Sequence, residues 1–173
     1  MKEKLIGKKE FLMEKKEKLA KKIAEKLPEK KECEGEKIKV LHVLTDKNIG
    51  GAGRWLLYYL KYHDREQFQV EVVLPQGSLL APAVKALDVP VISLEEMEDK
   101  SFDKKAMKAL VQLFKEEKPD IVHTHASMTA RMAAKAALVP SIFNTKHCME
   151  SAPGLLPKKL VRREVNAAFS DKI

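Results

Sequence analysis

Cysteine is scarce in this chain: 173 residues contain two, Cys33 in a charged stretch and Cys148 in a candidate loop. That pair implies no disulfide framework, and a reducing compartment is expected. Long apolar runs are missing too. None approaches the roughly 18 residues that a membrane-spanning helix requires. Residues 1–37 have neither a continuous apolar segment nor a small-residue cleavage site, which argues against a secretory leader. Together these absences point to a cytoplasmic protein. Aromatic residues make up only 6% of the chain, so Leu, Val, Ile and Ala must carry the core. Acidic residues are outnumbered, 25 against 33 basic ones, for a net charge of +8. A basic balance attracts anionic partners without choosing among them. Glutamate is interleaved with the lysines and no pattern of basic residues alternating with aromatics appears, so nucleic acid is not an expected partner.

What is present falls into two parts. Residues 1–37 hold 13 Lys and 9 Glu among Leu, Ile and Ala. Helix formers dominate up to Leu27, and Leu5, Leu12, Leu19, Ile23 and Leu27 share one face, so a charged helical extension is expected here. It reads either as a solvated helix or as a basic amphipathic helix resting peripherally on the inner face of the cell membrane. From residue 38 to 173 the pattern changes. The stretches "IKVLHVL", "FQVEVVL", "VPVISL", "DIVHTH" and "SIFNTKH" read as strands. They alternate with helical patterns, among them "FDKKAMKALVQLFKEEKPD", in which Phe102, Met107, Leu110, Val111 and Phe114 are the expected buried positions. Such alternation describes an α/β domain, a Rossmann-like open parallel sheet flanked by helices, with strand order 3-2-1-4-5. The final "SDKI" reads as the start of a further strand, which suggests the front part of a longer polypeptide.

Two places carry candidate chemistry. Gly50, Gly51 and Gly53 follow the first strand and open the first helix. Ligands of such folds gather beyond the carboxyl ends of the strands, and bare N–H groups at a helix start favour an anion. The spacing is neither G-x-G-x-x-G nor G-K-[ST], and "VVLPQG" offers no carboxylate for a ribose, so a nicotinamide enzyme is disfavoured. The loop is therefore either a phosphate- or substrate-facing element or a structural turn. Arg54 could reach a ligand or solvate the helix. The other place is "DIVHTHAS", where His123 and His125 share strand parity. His125 ends the strand, where an imidazole can bond a polar ligand, whereas His123, one pleat deeper, reads as a satisfied core histidine. Ser127 can cap the following helix. Past the fifth strand come Lys146, His147, Cys148 and Glu150; Glu150 reads as a carboxylate beside a hydroxyl-bearing substrate or as a solvated loop residue. The spacing of the histidines and Cys148 matches no named zinc site, so no metal is expected.

The segments "KVLHVLTDKNIGGAGRWLLYYLKYHD", "LFKEEKPDIVHTHAS" and "LVPSIFNTKH", in this order and spacing, resemble the N-terminal half of the retaining, nucleotide-sugar-dependent glycosyltransferases of family 4. The likeness runs from Ile38 to Ile173. It implies the GT-B arrangement, in which an N-terminal, mainly acceptor-side domain faces a donor-binding domain. It further implies hexosyl transfer from a nucleotide-sugar to a glycan or lipid-linked acceptor, with the nucleotide-sugar as co-substrate and no metal. Gly50 and Gly51 would then meet the donor phosphate or the acceptor, and His125 the transferred sugar. Gly53 stands where the family commonly has Glu, followed by a basic residue matched by Arg54. The donor-binding half has no counterpart in these 173 residues, so the chain is expected to be inactive unless a separate polypeptide supplies it. The other class kept open is a non-catalytic Rossmann-like domain that binds a sugar or phosphate compound.

Overall fold

The computed structural model describes residues 36–95, 97, 102–147 and 169–171. The charged helix expected up to Leu27, and Glu150, lie outside the described residues.

Five strands form one sheet: β1 (Ile38–Val43), β2 (Phe68–Pro75), β3 (Val91–Leu94), β4 (Ile121–His125) and β5 (Ser141–Thr145). Their order is β3-β2-β1-β4-β5, and every pairing is parallel. The sheet expected from the alternation of elements is therefore the one observed. Four helices fill the connections: α1 (Gly51–Tyr62), α2 (Ala81–Lys85), α3 (Lys104–Glu117) and α4 (Met128–Ala136).

β1 and β2 at the centre are buried on both faces, as a doubly covered parallel sheet requires. β4 and β5 carry half-buried positions between buried ones, and the edge strand β3 has no buried residue. On one face Leu41, Val43, Val122 and Ile142 meet Leu110 and Phe114 of α3 and Ala130, Ala133 and Ala134 of α4. On the other, Val40, Val70, Val72 and Leu74 meet Leu56 and Leu60 of α1 and Val84 of α2. Leu56 and Leu60 are fully buried; each contributes about 1.5–3 kcal/mol by leaving water. Phe102 departs from expectation. It is exposed because it precedes the N-cap Asp103 and so stands outside the helical periodicity that buries Leu110 and Phe114.

Local chemistry sets the element ends. Asp103 caps α3 by accepting from the amides of Lys105 (2.9 Å) and Ala106 (3.3 Å). Its own amide donates to Thr129 Oγ1 on α4 (3.1 Å), which ties the two helices together. Ser127 caps α4 through the amide of Ala130, as its position suggested. The backbone turns left-handed at Asp88, Lys118 and Leu138, just past α2, α3 and α4. Beyond β5 the chain returns at Asp171. Its amide donates to the Ile142 carbonyl (2.8 Å), and its carboxylate accepts from the Ile142 amide (2.8 Å).

Candidate functional site

Register decides what the sheet presents at its centre. His42 of β1 lies opposite His123 of β4, and His125 lies opposite Thr145 of β5. Residues paired across parallel strands share a face, and so do residues two apart along one strand. Three imidazoles thereby reach the face that α1 covers. His147, just past β5, adds a fourth. Trp55 and Tyr59, one turn apart on α1, stack on each other with ring centroids 5.6 Å apart. Trp55 stands 5.5–6.0 Å from the rings of His123, His125 and His147.

The imidazoles form a chain. His42 Nδ1 lies 3.2 Å from His125 Nε2, and His125 Nδ1 lies 2.8 Å from His147 Nε2. His123 Nε2 is held by Thr145 Oγ1 at 2.8 Å. His42 is wholly buried, and its Nε2 has no partner. A neutral imidazole has one N–H, so the chain can run only one way at a time. Donation outward, from His42 to His125 to His147, leaves a bare lone pair on His42 Nε2. Donation inward would leave an orphan N–H there, the rarer fault in buried structure. We assign the outward direction. Burial, reinforced by the neighbouring histidines, holds His125 at about 3, His123 at about 4 and His42 well below the ordinary histidine value of 6.5. Burial also lowers His147. The cluster is neutral near pH 7.

His125 thus occupies a different position from the one the sequence suggests. It is 6% exposed, and both ring nitrogens are engaged within the protein. The His147 ring lies over it, with centroids 5.1 Å apart and planes 16° apart. His123, expected deeper, is only half-buried. Rim and interior are exchanged because His147 folds over the strand end. Directly after His125, Ala126 adopts a left-handed backbone (φ 63°), uncommon for a residue with a side chain, and its amide donates to the Thr145 carbonyl.

At the glycine segment the backbone of Gly50 is extended, and no left-handed conformation occurs at Gly50, Gly51 or Gly53. Backbone freedom is thus not what the glycines supply, and an added Cβ would meet nothing closer than 3.4 Å at any of the three. A Cβ on Gly51 would meet nothing within 4 Å, whereas one on Gly53 would meet Leu80 at 3.4 Å. Gly53 is buried beside Leu80, at ordinary contact distance for a Cβ, and Gly51 faces open space at the helix start. No acidic residue sits in the first turn of α1, but the Asp46 carboxylate stands beside the helix start, 3.4 Å from where a Cβ on Gly50 would be. Arg54 and Lys146 are both exposed, on α1 and just past β5.

Sequence reasoning missed His42 and Trp55. His42 sits in an apolar strand with no cue beyond its identity, and its meeting with His123 depends on a register that spacing does not encode. Trp55 and Tyr59 at i and i+4, directly after the glycines, were the available signal for an aromatic wall.

Comparison with known proteins gives this arrangement a context. The family model described as Glycosyltransferase Family 4 matches residues 49–171. Over 118 residues the chain is 35% identical to the Escherichia coli protein named UDP-Gal:alpha-D-GlcNAc-diphosphoundecaprenol alpha-1,3-galactosyltransferase, covering 64% of this chain and 30% of that protein. A glycosyltransferase from Rickettsia africae superposes with a TM-score of 0.53 at 20% identity, over 71% of this chain and 33% of that one. MurG from Acinetobacter baumannii superposes with a TM-score of 0.53 at 14% identity, over 79% of this chain and 40% of that one. At these identities the superpositions establish a shared fold, the Rossmann-like domain of GT-B proteins.

Proposed function

Because this chain belongs to glycosyltransferase family 4, we propose that it forms the acceptor-side domain of an enzyme transferring a hexosyl group from a nucleotide-sugar to a glycan or lipid-linked acceptor. The observation that carries this reading is the polar cluster at the carboxyl ends of β4 and β5, walled by Trp55 in a family 4 domain. An indole 41% exposed beside neutral imidazoles suits a sugar, which needs an apolar face and hydrogen-bond partners together. His125 Nδ1 would meet a sugar hydroxyl by exchanging His147 as its partner. The open start of α1 at Gly50 and Gly51, with Arg54 beside it, would take a phosphate oxygen, and Lys146 would flank the sugar. The lipid-linked acceptor is suggested by the name of the Escherichia coli relative.

The chain spans 30% of that relative's length. Leaving-group stabilisation on the nucleotide diphosphate would come from a second domain, with no metal cofactor in the transfer. Incubation with labelled UDP- and GDP-sugars and diphosphopolyprenyl-linked acceptors, with and without a polypeptide carrying the donor-binding domain, tests this. Transfer is expected only in the combined reaction. There His125→Ala should lower kcat/KM at least about tenfold, the equivalent of one lost hydrogen bond in the transition state. His123→Ala should act mainly on stability. Transfer by residues 1–173 alone, or full activity without His125, would refute the assignment. A second reading, a sugar-binding domain without catalysis, is favoured by the engagement of both His125 nitrogens. Acceptor binding without transfer in the combined reaction would select it.

A further inference from the structure

We propose that His42, His123 and His125 form a binding site for a transition-metal cation of the zinc class, with His147 as the outer partner that orients His125. The three residues come from two paired strands, so their positions are fixed by the β1–β4 register. One ligand nitrogen from each lies within 4.8 Å of the others. Nitrogens bound to one tetrahedral zinc at about 2.0–2.1 Å stand about 3.3 Å from each other. The 3.2 Å between His42 Nδ1 and His125 Nε2 already matches that edge.

The surroundings match as well. A ligating histidine usually has its other ring nitrogen held by a neighbour, which fixes tautomer and ring direction. His147 does this for His125 Nδ1, and Thr145 Oγ1 does it for His123 Nε2. His42 is the exception: bound through Nδ1 it would keep its proton on Nε2, which has no hydrogen-bond partner. Without the ion, two buried nitrogens must share one proton between them. With it, both direct lone pairs at the cation.

The donor set selects the class of ion. Three imidazoles and no carboxylate suit zinc, cobalt, nickel or copper and disfavour magnesium and calcium. A fourth position remains for water or an anion. The ion is not a cofactor of the proposed transfer. It would engage His125 Nε2, so on that reading occupancy regulates the site; binding itself is measured without any activity assay.

The test is titration of the chelator-stripped chain with Co2+, read by visible absorption, and then displacement by Zn2+. One Co2+ per chain is expected, with the strong d–d bands of four-coordinate nitrogen and oxygen ligation and without the thiolate charge-transfer band that Cys33 or Cys148 would give. Excess Mg2+ should leave the spectrum unchanged. His42→Gln and His123→Gln should each weaken binding at least about tenfold, and His147→Gln, on the rim, by about tenfold. His63→Gln, outside the cluster, should bind as the unaltered chain does. Circular dichroism confirms the fold of each variant, and the rim variant decides if a buried one unfolds. Absence of the four-coordinate spectrum at 100-fold excess Co2+, a thiolate band, or binding unchanged in folded His123→Gln and His147→Gln chains would overturn the site.

Discussion

A neutral histidine in the interior stabilises the fold only while it stays neutral. His123 and His125 are held at about 4 and about 3, by burial first and by neighbouring histidines second. His42 is lowered by burial and then by His123, His125 and His63. In the unfolded chain each would titrate near 6.5, so below that pH the unfolded state binds more protons. Stability is therefore fully present above about pH 6.5 and is lost as pH falls toward 4 and 3, by up to about 1.4 kcal/mol per pH unit for each group. Urea unfolding in chelator between pH 7.5 and 4.5 should show this decline. His125→Asn, which cannot take the charge, should flatten it, and an equal slope in both proteins would refute the account. The parity that aligns His123 with His125 was legible in "HTH", because a strand repeats every two residues. Which of them is covered was not legible, since that depends on His147, which reaches back from a loop.

Elements were the most legible level. Turn residues and apolar periodicity located all five strands and the helices between them, and parallel sheets admit few crossovers. Phe102 shows the limit: a residue just outside a cap can extend a pattern that the helix does not continue. The Asp103 cap also links elements, since its carboxylate serves α3 while its amide donates to Thr129 on α4. Asp103→Ala should cost about 1 kcal/mol, the usual loss on removing a cap. Asp103→Asn, which preserves an acceptor oxygen, should restore most of it. Chemical denaturation measures both, and a loss below about 0.3 kcal/mol in the alanine variant would show that the cap is dispensable.

For the whole molecule, composition indicated the sign of the charge and little about the site. The net charge of +8 combines with exposed Tyr58 and Tyr62 on α1, next to exposed Lys61. Aromatic rings and cationic side chains together suit the headgroup layer of an anionic bilayer. Among the described residues no helix is long and apolar enough to cross a membrane. We expect the chain to co-sediment with phosphatidylglycerol vesicles at low ionic strength and to be released as salt approaches about 0.5 M, where screening is nearly complete. Tyr58→Ser with Tyr62→Ser should halve the bound fraction at least. Equal binding to uncharged phosphatidylcholine vesicles would show that charge is not the cause. The family was legible because its pieces keep order and spacing along the chain. The histidine cluster was not, because it exists only once β1 and β4 lie side by side.

Trp55 is the sole tryptophan of the chain, and three imidazoles stand within 6.0 Å of its ring. The molecule therefore has one indole fluorophore, placed against the side chains whose charge and occupancy matter most. Excited indole loses its energy readily to an imidazolium and keeps it beside a neutral imidazole. Emission at fixed temperature should then be bright near neutrality and dim as His147, the least buried of the three, gains a proton. A sugar face laid on the ring would shift the emission maximum instead, and a paramagnetic cobalt ion would quench it at neutral pH. Protonation, sugar binding and metal binding would thus be separable by light from one native side chain, without a label.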